Sequence, residues 1–178
     1  MSSKTTVELA VMESLEATIR QIDQGLVTLN MSWRQVTERF MNADSGKDMA
    51  RANVYACEMA ELRLMIKQLV KARLALEEVA NRLSSVSEGG EINKQILILS
   101  EVVHLARSMI RFFSHSIEEE LSGIENTLKT LANETCGIGQ SNMSSEDLNE
   151  NAKVIVESTT QIAEQEVKEK YKWPTNLY

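Results

Sequence analysis

Glu101 and His104 form the pair in this chain that most resembles a catalytic or metal-binding motif. A Glu-x-x-His spacing places both side chains on one face of a helix, as in carboxylate-bridged di-iron bundles. Such a site needs a second pair and two further inward glutamates, but the other histidine, His115, has Phe112 three residues before it. The sequence therefore predicts a surface pair, and it predicts no catalytic residue, no metal and no cofactor.

Two further features could suggest a phosphate-binding loop or a zinc or redox site, and neither matches the pattern that such a site requires. Gly137-Ile138-Gly139 lacks the Lys and Ser/Thr of a phosphate-binding loop and follows no predicted strand, so we interpret it as part of a linker. Cys57 and Cys136 are far apart and match no CxxC or zinc spacing, which indicates reduced intracellular thiols.

A run of cations without a carboxylate lies within residues 62–76: Arg63, Lys67, Lys71 and Arg73. The first three are spaced four residues apart and share a helix face, whereas Arg73 lies on the apolar seam. A polybasic face gains ~1 kcal/mol per cation near an anionic lipid surface, so this face predicts contact with a membrane or with a polymer. The alternative is a solvated face. The same cations would also attract an acidic segment of the chain.

Composition predicts an all-α protein of one domain, or of a core with a tail. The 178 residues include one proline, seven glycines and 4% aromatic residues. The net charge of −7 argues against general nucleic-acid binding. Charge is uneven, with seven bases and five acids in residues 47–83 and four bases and eight acids in residues 133–178. A basic second helix is therefore followed by an acidic C-terminal segment.

The apolar spacing predicts that these cations lie on the second helix of a long antiparallel hairpin. One stripe runs from Val7 to Phe40, and a second lies within residues 52–83. The break at residues 42–46 is short, which forces the two helices to be antiparallel, and Ser45 is the predicted N-cap of the second helix. The longest purely aliphatic run, residues 96–99, is too short to span a bilayer, so any membrane association would be peripheral.

Further helices should complete the core. A third segment starts at Glu91 and carries one continuous apolar stripe from Ile92 to Leu131, and Gly89-Gly90 before it forms a joint. After a polar linker at residues 133–145, Ser144 should cap an acidic helix that ends near Lys170. We predict a helical core at 1–135, and a linker with a C-terminal helix at 136–178. The stripe predicted for that last helix is Leu148, Ala152, Ile155, Thr159 and Ile162.

The second helix resembles helix 2 of ESCRT-III proteins, in particular the archaeal cell-division B-type (CdvB-like) members. The resemblance rests on the patterns Ala52-x-x-Tyr55-Ala56-x-Glu58-x-Ala60-Glu61-Leu62-Arg63, Leu74-Ala75-Leu76-Glu77-x-Val79 and Arg82-Leu83. The order of parts over about residues 5–170 is similar as well: hairpin, further core helices, linker and acidic helix.

The resemblance implies a non-enzymatic filament subunit that remodels membranes, as in archaeal cell division and membrane scission. It implies self-assembly, co-assembly with ESCRT-III-like paralogues, contact with anionic membrane, and disassembly by an AAA ATPase. It also implies a regulatory C-terminal helix that autoinhibits assembly, a hinge at Gly89 and Gly90, and a cytoplasmic, peripherally membrane-associated location at the division site.

Three departures from the family pattern refine this expectation. Residues 1–42 carry four bases and five acids, the single proline excludes a proline-rich ATPase-recruiting motif, and there is no room for a C-terminal winged-helix segment. These features indicate a short, core-only paralogue that relies on other subunits for lipid and ATPase contact. The alternative function is a constitutive helical-bundle scaffold or adaptor with no membrane role.

Overall fold

The computed structural model describes residues 3–86, 91–135 and 143–174. Within these ranges the chain forms helices and no strand, which confirms the all-α prediction. The helices are α1 (Ser3–Ser45), α2 (Met49–Ser85), α3 (Ile92–Ile110), α4 (His115–Thr135) and α5 (Ser145–Lys170).

The predicted antiparallel hairpin is confirmed, with α1 and α2 packed along their stripes. Lys47 takes the left-handed conformation, with φ of 56°, and reverses the chain between the helices. Asp48, three residues after the predicted Ser45, is the N-cap of α2, because its side chain accepts a hydrogen bond from the Arg51 N–H. The prediction of Ser45 was wrong, since α1 continues through this residue.

The prediction of a single third helix was also wrong, because residues 111–114 form a turn between α3 and α4. The Phe113 and Ser114 N–H groups both donate to the Ile110 carbonyl, and the Ser114 hydroxyl accepts from the Ile117 N–H at 3.3 Å. Ile110 and Ile117 are both buried and lie seven residues apart, two helical turns in a continuous stripe. The apolar spacing is therefore the same as in an uninterrupted helix, and it does not reveal the turn.

The α3–α4 hairpin packs on the first hairpin through α2 and α1. Gly25 of α1 allows close approach here, because a Cβ at this position would lie 2.8 Å from Phe113 Cζ. Further along, Thr18 and Gln21 of α1 donate hydrogen bonds to Glu120 of α4 at 3.0 to 3.2 Å. These contacts make α4 antiparallel to α1.

The last helix, α5, packs against both α2 and α3. The predicted cap is confirmed, because Ser144 Oγ accepts from the Asp147 N–H at 3.1 Å within a capping box. The predicted stripe was wrong at its last member, since Ile162 is 57% exposed. The buried face continues instead through Ala163 and Val167, and its members are Ala152, Ile155, Thr159, Ala163 and Val167.

Candidate functional site

The basic face of α2 and the acidic helix α5 meet in an antiparallel contact, which we call the α2–α5 interface. Lys67 Nζ lies 2.8 Å from Glu164 Oε1, and Lys71 Nζ lies 3.8 Å from the same oxygen. The hydrogen bond from Lys67, together with its charge and that of Lys71, lowers the pKa of Glu164. The attraction predicted from the charge pattern is therefore present as direct contact within the chain.

Arg73 joins three helices at the centre of this interface. Its guanidinium lies 3.1 Å from Glu166 of α5, 3.4 Å from Asp23 of α1 and 3.8 Å from Glu77 of α2. The Arg73 side chain is only 20% exposed. Burial opposes its charge, but the three carboxylates outweigh that effect and raise the pKa of Arg73. Burial likewise acts to raise the pKa of Glu166, and Lys170 and Arg73 outweigh it, so the net shift is downward.

Arg63 differs from the other three cations of the predicted site. It forms no ion pair with any residue of 3–86, 91–135 or 143–174. Its side chain lies at the edge of a groove beside Lys168 and Trp173. The structure thus brings Lys67, Lys71 and Arg73 onto the carboxylates of α5 and leaves Arg63 beside them.

An aromatic cluster at the end of α5 completes the interface, and sequence reasoning missed it. Tyr171 packs edge-on against Trp33 of α1, with ring centroids 5.7 Å apart, and Trp173 does the same at 6.2 Å. Burial raises the pKa of the Tyr171 phenol. The available signal was the placement of two aromatic residues directly after an acidic helix in a chain with 4% aromatic residues.

His104 pairs across the α3–α4 hairpin and not with Glu101. Its Nδ1 lies 3.3 Å from Glu125 of α4, which also accepts from Arg107 at 3.0 Å and from Lys129 at 2.5 Å. Burial of Glu125 acts to raise its pKa, but Lys129 and His104 outweigh that effect and lower it. No group of three His, Cys, Asp or Glu residues able to hold a metal occurs in the part of the chain that the structure describes.

Some predicted features lie outside the described residues. These are the hinge glycines Gly89 and Gly90, the thiol Cys136 and the Gly137-Ile138-Gly139 segment. In residues 3–86, 91–135 and 143–174, no helix combines the length and apolar character needed to cross a bilayer.

Comparison with known proteins finds relatives that are named as cell division proteins. The chain is 30% identical over 134 residues to Cell division protein B1 of Sulfolobus acidocaldarius, covering 75% of this chain and 63% of that protein. It is 25% identical over 167 residues to Cell division protein B of the same organism, covering 94% of this chain and 63% of that protein. These two matches support the assignment of the chain to a Cell division protein B-like family. The chain spans less than two thirds of the length of these two relatives.

Neither a protein-family model nor a solved structure matches the chain. The assignment to a Cell division protein B-like family therefore rests on the two relatives, whose matched regions extend over most of this chain.

Proposed function

We propose that this chain is a non-enzymatic, ESCRT-III-like filament subunit that remodels membranes in archaeal cell division. The observation that carries this proposal is the α2–α5 interface. Its Glu164 and Glu166 form ion pairs with the cations that would otherwise face a membrane or a neighbouring subunit: Lys67, Lys71 and Arg73. The assignment to a Cell division protein B-like family supports the cellular role.

In this proposal the described arrangement is the closed, autoinhibited form. The more exposed Lys67–Glu164 pair contributes little net free energy, so the docking of α5 depends mainly on its buried face, the aromatic cluster and the less exposed Arg73–Glu166 pair. That face is narrow and consists largely of small side chains, such as Ala152, Thr159 and Ala163. A contact of this kind can be displaced by a competing surface that binds the open form more tightly.

Opening exposes the polybasic face together with the surfaces of α2 and α3 against which α5 packs. The partners proposed for these surfaces are other copies of the chain, ESCRT-III-like paralogues and anionic membrane. Contact with an AAA ATPase would be indirect, through those paralogues. The proposed location is cytoplasmic and peripheral to the membrane at the division site.

Electron microscopy and co-sedimentation with anionic vesicles test the proposal. We would compare the full chain, a chain lacking residues 140–178, and the full-length variant Glu164→Gln/Glu166→Gln. The matched control is Glu150→Gln/Glu157→Gln, which removes two exposed charges of the same helix that make no ion pair with described residues. Deletion and the first double variant should promote filaments or deform vesicles, whereas the control should behave like the parent.

Discrete particles that are unchanged by lipid and by truncation, even with a paralogue added, would refute the proposal and favour a constitutive scaffold or adaptor.

A second experiment neutralises Arg63, Lys67 and Lys71 together in the tail-deleted chain. Vesicle binding should then weaken, and the remaining binding should depend less on salt. If the tail-deleted chain bound vesicles equally well at every salt concentration, the polybasic face would not be the membrane contact.

A further inference from the structure

A groove remains open where the end of α5 meets α2. One part of it, of about 480 Å³, has Ala60, Arg63 and Leu64 on the α2 side and Val167, Lys168 and Trp173 on the other. An adjoining part of about 740 Å³ extends past Lys172. Since one wall belongs to α2 and the other to α5 and the segment after it, the groove exists only while α5 is docked.

Three cations at this groove are not neutralised by the fold. Arg63, Lys168 and Lys172 form no ion pair with any residue of the described ranges. Of the two carboxylates that line the groove, Glu164 is engaged by Lys67 and Glu169 accepts a hydrogen bond from Gln165, so the cations of the groove outnumber its acids. Lysines near a helix C-terminus interact favourably with the helix dipole, which explains why an unpaired lysine is found at position 168. It does not account for Arg63, which lies in the middle of α2.

The groove also has an apolar wall beside these cations. Leu64 is 60% exposed, and the half-buried Trp173 is held edge-on against Trp33. A guanidinium binds phosphate oxygens through two parallel hydrogen bonds, and ammonium groups add point charge. Several unpaired cations around an aromatic ring therefore suit a compact ligand with several negative charges.

We propose that this groove binds a ligand bearing several phosphate groups, and that the bound ligand holds α5 on α2. The second part rests on the proposed function, in which α5 must leave before assembly. Undocking separates Arg63 from Lys168 and Lys172, so the ligand binds the closed form alone. Ligand at 100 times its dissociation constant would then favour the closed form by about a hundredfold.

The chain supplies its own probe, since both of its tryptophans, Trp33 and Trp173, lie at this end of the interface. We would titrate the full chain with inorganic triphosphate and follow tryptophan fluorescence. The test variant is Lys168→Gln/Lys172→Gln. The matched control is Lys153→Gln, an exposed cation earlier on α5 that forms no ion pair with described residues.

The parent and the control should show the same saturable change in emission. At about fivefold per cation, the double variant should bind roughly twenty-five-fold more weakly. Arg63→Gln should also weaken binding, and its far-ultraviolet circular dichroism should match that of the parent. An unsaturable response, or equal weakening by Lys153→Gln, would overturn the site.

Two sources of the phosphates are separated by a second arm. Vesicles containing a phosphoinositide in neutral phosphatidylcholine are compared with soluble triphosphate, each against the same variants. Preference for the vesicles identifies a lipid headgroup, and preference for triphosphate identifies a soluble ligand. Either preference supports the site if the Lys168→Gln/Lys172→Gln variant no longer shows it. If the parent responds neither to the vesicles nor to triphosphate, the site is refuted.

The outcome for the site is independent of the outcome for filament assembly. If triphosphate binds with the expected variant pattern while the tail-deleted chain never assembles, the site stands and the filament function fails. If the tail-deleted chain assembles but triphosphate does not bind, the filament function stands and the site fails. If triphosphate binds the full chain yet leaves sedimentation of the opening-prone Glu164→Gln/Glu166→Gln variant unchanged, ligand control of closure is refuted.

Discussion

Replacing Arg73 with methionine should destabilise the chain, because it removes the cation shared by three carboxylates. The guanidinium lies within 3.1 to 3.8 Å of Glu166, Asp23 and Glu77, and its side chain is 20% exposed. Breaking a fully buried ion pair costs about 3–5 kcal/mol, and breaking an exposed pair costs about 0–1 kcal/mol. Arg73 lies between these limits, so we expect the free energy of unfolding at pH 7 to fall by about 2 kcal/mol.

The same substitution should change how stability depends on pH. In the parent, the pKa of Glu166 is lowered, so its contribution is present above the unfolded value near 4.3 and is lost as pH falls through the folded value. Without Arg73, Glu166 loses a cation that lowers its pKa, and Glu77, whose pKa burial already raises, loses the same cation, so both pKa values rise. Acidification from pH 7 to about 5 should therefore narrow the difference in stability between Arg73→Met and the parent.

Urea denaturation, followed by circular dichroism and by tryptophan fluorescence, measures both effects. The control is Arg39→Met, which removes an exposed arginine of α1 that forms no ion pair with described residues. In a double-mutant cycle, Glu166→Gln should cost less in the Arg73→Met background than in the parent, with a coupling of about 1 kcal/mol. Equal losses for Arg73→Met and Arg39→Met, or a pH-independent difference, would refute this account.

Further substitutions test the remaining contacts. Gly123→Ala should raise the free energy of unfolding by about 0.5–1 kcal/mol, since its Cβ would meet no atom within 4 Å. Gly25→Ala should not be stabilised in this way, because its Cβ would clash with Phe113. Urea denaturation gives both values, and equal gains would contradict the close approach of Phe113 to Gly25. Glu125→Gln should cost about 2 kcal/mol at pH 7, because Arg107 and Lys129 lose their shared partner. That loss should shrink as pH falls through the lowered pKa of Glu125, and a constant loss would exclude an ionic origin. Trp173→Ala should weaken the docking of α5 by about 1 kcal/mol through its lost ring contact, which limited proteolysis near residue 143 would detect as faster cleavage.

Local patterns determined most of the helices and the first hairpin. The apolar stripes of α1 and α2 depend on neighbours three and four residues away, and so does the cap at Ser144. Such signals are complete within a few residues, which is why the sequence alone located them. The charge pattern likewise predicted that basic α2 and acidic α5 attract each other, because attraction between net charges needs no exact geometry.

The tertiary structure decided which residues meet. The turn at residues 111–114 was hidden because the stripe keeps its register across it. Ala163 is buried and Ile162 exposed because α5 packs against α2 and α3 together, and the orientation of its buried face is set by those neighbours. Arg73 pairs across helices and Arg63 does not, since the partners of Arg73 on other helices are Asp23 and Glu166, which lie 50 and 93 residues away along the chain. The sequence therefore determined most of the helices and the sign of the charge on α2 and α5, and the packing of distant helices determined the interface.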